Sequence, residues 1–123
     1  MYKLFASEYK FMEIVWENAP VNSTRLVQLC KEILGWKKST TYTVLRKLAE
    51  RGIVKNEDAV VTFLVDKEAI QLQESRELLH KSFGGSLPMF LASFLKREQL
   101  SKEEADELKK IIDESMKRSE DGE

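Results

Sequence analysis

Between Gly52 and Asp66 the hydrophobic pattern of this chain stops being helical. Upstream, apolar residues recur near the helical period, as Phe5, Tyr9, Met12 and Trp16 and then as Leu26, Leu29, Cys30 and Ile33. Past Gly52 they run together, as Ile53-Val54-Lys55 and Ala59-Val60-Val61-Thr62-Phe63-Leu64-Val65, around the polar Asn56-Glu57-Asp58. Two extended runs about a polar turn predict a β-hairpin. Few folds place a hairpin after short helices and before more helix. The order is that of a winged helix-turn-helix, in which the third helix is offered to the DNA major groove.

Local signals set the helix ends. Ser7 is positioned to cap a first helix over roughly 8–18, stopped by Asn18-Ala19-Pro20. Asn22-Ser23 caps the second, and Gly35 stops it. The third starts near Lys38 or Ser39 and ends before Gly52. Asp66 caps a fourth helix over roughly 67–82, closed by Phe83-Gly84-Gly85. Ser86 caps a fifth, with Pro88 in its first turn, and Ser101-Lys102-Glu103-Glu104 reads as a capping box for the last. The expected fold is therefore mostly α: a winged helix-turn-helix of three helices plus a β-hairpin wing over 1–65, then a helical dimerisation arm over 66–118. Residues 119–123 read as a disordered tail.

Charge is divided between these parts although the net charge is only −1. Residues 1–65 hold ten Lys and Arg against seven Asp and Glu, while residues 66–123 hold ten against fourteen. The excess of cations gathers around the third helix, at Lys37, Lys38, Arg46, Lys47 and Arg51. On a helical period Thr41, Val44, Leu45, Leu48 and Ala49 turn inward, leaving Ser39, Thr40, Thr43, Arg46, Lys47 and Glu50 outward. Cations and short hydroxyls at a helix N-terminus suit phosphate oxygens, and Thr, Arg and Lys also reach base edges. A merely solvated helix face is the plainer reading of the same residues. The wing is acidic at its tip, with Lys55 its single cation, so it should contact DNA weakly or not at all.

The arm carries an apolar excess. Ala69, Leu72, Leu79 and Phe83 lie near a coiled-coil spacing on the fourth helix, interrupted by Arg76. Leu87, Phe90, Leu91, Phe94 and Leu95 make a wide face on the fifth helix, and Leu108, Ile111 and Ile112 a stripe on the last. Pairing two arms would bury these surfaces; folding the arm back on its own winged helix is the alternative.

Trp36 to Leu48 has the spacing W-x3-T-x2-T-x3-[RK]-L, and that segment resembles the recognition helix of the penicillinase/methicillin-resistance/copper repressor family (BlaI/MecI/CopY). SEYKFMEIVWENAPVNS, ERGIVKNEDAVVTFLV, FGGSLPMFLASFL and LSKEEADELKKII resemble other parts of the family in the same order. The resemblance implies a dimeric repressor of bacterial operons. It implies Thr40, Thr43 and the basic residue before Leu48 as DNA contacts; that residue is usually Arg in the family and is Lys47 here. In the antibiotic-resistance branch a membrane-sensor protease cuts an Asn-Phe bond in the fifth helix. The aligned bond is Ser93-Phe94, with Ser in place of Asn.

Other chemistry is thinly represented. Cys30 falls on an apolar face and reads as a small core residue; His80 is the only histidine and has no spaced metal-binding partner. The C-terminal cysteine cluster of the copper-responsive branch is missing, so no thiolate metal sensing is expected. No nucleophile–base pair or glycine-rich phosphate loop appears, so no enzyme and no cofactor are expected. No apolar run is long enough to span a bilayer, the first residues lack signal-peptide character, and one cysteine suits a reducing compartment. These features predict a cytoplasmic protein. Two function classes follow: a homodimeric repressor of a dyad-symmetric operator, or a winged-helix adaptor that binds protein.

Overall fold

The computed structural model describes residues 3–120. Its elements are α1 (Ala6–Asn18), β1 (Val21–Asn22), α2 (Ser23–Leu34), α3 (Lys38–Glu50), β2 (Val54–Glu57), β3 (Val60–Phe63), α4 (Lys67–Phe83), α5 (Leu87–Leu95) and α6 (Lys102–Glu120). The strands form one antiparallel sheet in the order β1-β3-β2. This is a winged helix followed by further helices.

Most helix ends are set by the side chains expected to set them. Asn22 Oδ1 accepts from the Thr24 amide at 2.8 Å, Asp66 Oδ1 from Ala69 at 2.8 Å, and Ser86 Oγ from Met89 at 3.1 Å. Ser101 Oγ accepts from the Glu104 amide, while the Ser101 amide donates back to Glu104 Oε1. Gly35, at φ +71°, closes α2: its amide donates to Lys31 O and the Trp36 amide reaches Cys30 O. Helix α1 differs. Ser7 lies inside it, and Phe5 is the cap residue, its amide donating to Glu8 Oε1 at 2.9 Å. Glu8 sits where its carboxylate can reach back over the first turn, so no Ser cap is needed.

The wing turn is one residue later than the polar triplet suggested. Asn56 and Glu57 belong to β2, paired with Val61 and Val60, and the turn is Asp58-Ala59 with φ of +53° and +62°. A two-residue turn of this hand fits the twist of the strands. Strand β1 has no counterpart in the sequence reading. Val21 and Asn22 pair with Val61 and Val60, and the Ser23 amide then donates to Ala59 O at 2.8 Å.

The chain divides into two compact units, the first ending at Glu77 and the second starting at Leu78. The core of the first holds Phe11, Met12, Val15, Leu26, Cys30, Thr41, Leu48, Ile53, Val54 and Val61, all fully buried. Ile70 of α4 belongs to it too, at 0% exposure, so this unit extends past the 65/66 border read from the sequence. Trp16 Nε1 donates to Val65 O at 3.0 Å in the same region. Two residues counted toward apolar faces are outside: Phe5 is 66% and Ile33 60% exposed. Phe5 precedes α1 and is not on its face, and Leu4 enters the core instead. On α2 the half-buried Leu34 packs against the core where Ile33 does not.

In the second unit, Phe83 meets Phe90 edge-on with centroids 5.3 Å apart, and Phe90 meets Phe94 at 5.9 Å. No residue of α5 or α6 is buried. Helix α6 continues through Ser119 and Glu120, which the sequence placed in a disordered tail; the rest of that tail, 121–123, lies outside the described residues.

Burial pushes the Cys30 thiol up to about 11 from its ordinary 9.0, against a hydrogen bond with Thr41 that lowers it. The folded state thus keeps a proton that the unfolded state releases. The resulting stability is complete below pH 9 and is lost as pH rises toward 11. Across that window the urea midpoint should fall more steeply for the parent than for a Cys30→Ala protein; equal slopes would contradict this linkage.

Candidate nucleic-acid interface

Helix α3 is seated by Thr41, Leu45 and Leu48, all buried. Its other side carries Lys38, Ser39, Thr40, Arg46 and Lys47, all exposed, with Thr43 half-buried among them. All six side chains expected to meet DNA are therefore on one continuous helix. Lys37 precedes α3 without any side-chain cap. The first amides of the helix are left to solvent or to an anion, where the helix dipole also favours negative charge.

Two polar ties hold this helix. The Tyr42 hydroxyl donates to Ser23 Oγ at 3.3 Å, at the start of α2. Just past the other end, Arg51 Nη1 meets the nearly buried Glu8 carboxylate at 2.9 Å, and Nη2 donates to Lys3 O. Arg51 had counted with the basic cluster, but its guanidinium is committed to the fold. Lys37, Lys38, Arg46 and Lys47 are the cations that remain on this segment. Trp36, the first residue of the motif, is structural as well. It stacks on Phe11 with centroids 5.9 Å apart and an 8° interplanar angle.

The wing offers little charge. Lys55 Nζ lies 2.7 Å from Glu57 Oε2, and both are exposed. Their hydrogen bond and mutual charge hold the Lys55 ammonium above, and the Glu57 carboxyl below, their ordinary ranges. Between α3 and β2 runs an open groove of about 290 Å³, lined by Tyr42, Leu45, Arg46, Ala49 and Asn56. The sequence places Asn56 in the turn and not among the DNA contacts. Only its strand placement brings it beside α3.

The residues read as dimer contacts are largely open to solvent. Leu72, Leu87, Phe94, Leu95, Ile111 and Ile112 are exposed, while Leu79, Phe83, Phe90, Leu91 and Leu108 are half-buried. Leu78, Met89 and Met116, which the sequence reading passed over, are also exposed. Among the described residues no cluster of His, Cys, Asp or Glu is arranged to hold a metal ion, and no helix is long and apolar enough to cross a membrane.

A family model for the penicillinase repressor matches residues 5–114. The chain belongs to the penicillinase repressor family. Members of this family are transcriptional repressors and not enzymes. Over 115 residues the chain is 23% identical to the methicillin resistance regulatory protein MecI of Staphylococcus aureus (strain Mu50 / ATCC 700699), covering 90% of this chain and 94% of that protein. It is 24% identical over 116 residues to the penicillinase repressor of Bacillus licheniformis, covering 91% of each. The penicillinase repressor of Staphylococcus aureus is 22% identical over 116 residues, covering 91% of this chain and 92% of that protein.

Proposed function

We propose that this member of the penicillinase repressor family acts in the cytoplasm as a homodimer that binds a dyad-symmetric DNA operator through α3. The observation that carries the reading is the outward face of α3. It presents cations and hydroxyls next to uncapped helix amides, while its opposite side is fixed in a core. Lys38, Ser39, Arg46 and the first amides suit phosphate; Thr40, Thr43 and Lys47 are spaced to enter a major groove. One α3 per subunit requires half-sites about one helical turn apart, or a multiple of it. The bare second unit supports the dimer. Its apolar residues gain about 25 cal/mol per Å² when covered, and nothing within α5 or α6 buries them.

Release from DNA is proposed to come from a cut at Ser93-Phe94, in an exposed stretch of α5, by a membrane-sensor protease. Losing the chain beyond Ser93 would remove Phe94, Leu95 and all of α6 from the pairing surface.

The neutralised Lys55–Glu57 wing is what favours a protein-binding adaptor instead. Two substitutions on α3 separate the readings, using the promoter fragment that the protein protects from nuclease. Thr43→Ala should cost about 1–3 kcal/mol on that fragment and little on mixed-sequence duplex. Lys38→Ala should weaken both alike and reduce the salt slope by about one. Operator binding unchanged by both would remove α3 as the reader.

A further inference from the structure

The pairing of Lys55 with Glu57 leaves open how the wing side of α3 is fitted to a duplex. Side chains alternate along β2, so Lys55 and Glu57 share one face while Val54 and Asn56 share the other. Val54 is fully buried, and Asn56 is paired in register with the fully buried Val61. The Asn56 amide therefore lies on the α3 side of the sheet, at the groove, whereas the wing's cation lies on the face turned away from it. Among the described residues, neither the side-chain amide of Asn56 nor the Arg46 guanidinium is hydrogen-bonded or ion-paired to another protein group.

The chemistry of the groove is specific. Its floor is apolar, made by Leu45, Ala49 and the ring of Tyr42, whose hydroxyl is already engaged by Ser23. Its walls carry unengaged donors, Arg46 from the helix and Asn56 from the strand. Donors above an apolar floor match a sugar–phosphate unit, in which charged oxygens flank a largely apolar deoxyribose. A base edge would ask for a flat array of donors and acceptors, which this groove does not offer.

We propose that the groove between α3 and β2 seats one backbone unit of the bound duplex, its phosphate held jointly by Arg46 and by the uncharged amide of Asn56. This rests on the reading of α3 as the DNA-binding helix, and it makes Asn56 the wing's anchor in place of Lys55. The two donors differ in a measurable way. Arg46 displaces a counterion from the phosphate, so its contribution fades with salt; Asn56 displaces none, so its contribution persists.

The test titrates the full-length protein with mixed-sequence duplex and with its protected promoter fragment over a range of salt. Asn56→Ala should lower affinity about fivefold for each winged-helix unit, equally on both DNAs, with log affinity against log salt running parallel to the parent. Arg46→Ala should lower affinity and flatten that line by about 0.9 for each winged-helix unit. Asn56→Asp, nearly isosteric but anionic, should bind more weakly than Asn56→Ala. Because Asn56 is exposed, thermal melting should be close to the parent's in each Asn56 variant. If Asn56→Ala or Asn56→Asp binds like the parent while Arg46→Ala is impaired, the proposal for Asn56 is overturned and the role of α3 stands. A loss confined to the promoter fragment would make Asn56 a base reader and overturn the backbone assignment. If neither Arg46→Ala nor Asn56→Ala weakens binding, this inference falls, and α3 as the reader is decided separately by Thr43→Ala and Lys38→Ala.

Discussion

A Phe94→Asp protein is expected to sediment as a monomer at micromolar concentration, with its winged helix folded and its operator affinity about 100-fold lower or worse. Phe94 is 50% exposed and packs on Phe90, in the middle of a unit with no buried side chain in α5 or α6. In a paired arm that ring would be covered. A carboxylate in its place would lose its water without gaining a partner, which costs several kcal/mol. The loss on DNA is larger than the dimer contact alone suggests. Two linked winged helices bind with an effective concentration set by the link, and unlinking them leaves each with its own weak affinity. A Phe94→Asp protein that remains dimeric and grips the operator like the parent would end the proposed dimer and its release by cleavage.

Fragments of different length should behave unlike what the sequence border implies. A chain ending at Glu77 should unfold in urea with the stability of the winged helix in the whole protein. One ending at Asp66 should be less stable by about 2–5 kcal/mol, the range for emptying a large aliphatic site in a core. Ile70 is the reason: it is fully buried among residues of the first unit, and the shorter fragment lacks it. The same cut removes the Ala69 amide that Asp66 caps. Equal urea midpoints for the two fragments would show that Ile70 is dispensable.

What could be read from sequence was local. Asn22, Asp66, Ser86 and Ser101 each act within a few residues of themselves, so their caps were legible without a fold. The inward and outward sides of α3 followed from its period, and the exposed side chains agree. The misreadings concern partners far away in the chain. Arg51 counts with the basic cluster in the sequence because Glu8, 43 residues earlier, carries no sign of being its partner. Val21-Asn22 is too short to show an alternation, and becomes a strand only because β3 is beside it. The turn was misplaced because Ala59, unlike Gly or Asn, does not advertise a left-handed backbone. Ile33 keeps the helical period, but its neighbour Leu34 takes the place against the core.

The tie between Arg51 and Glu8 has a consequence for the thermodynamics of association. With Tyr42 bound to Ser23 near one end and Arg51 to Glu8 just past the other, α3 has little freedom to tilt or slide in the unbound protein. The ordering that a loosely held helix would undergo upon meeting a duplex has been completed during folding. On the proposed role of α3, complex formation then need fix only the long exposed side chains, Lys38, Arg46 and Lys47 among them. Loosening the tie, as Arg51→Ala would, shifts that ordering back into the binding step. The unfavourable entropy of binding would grow without the loss of a single contact to DNA.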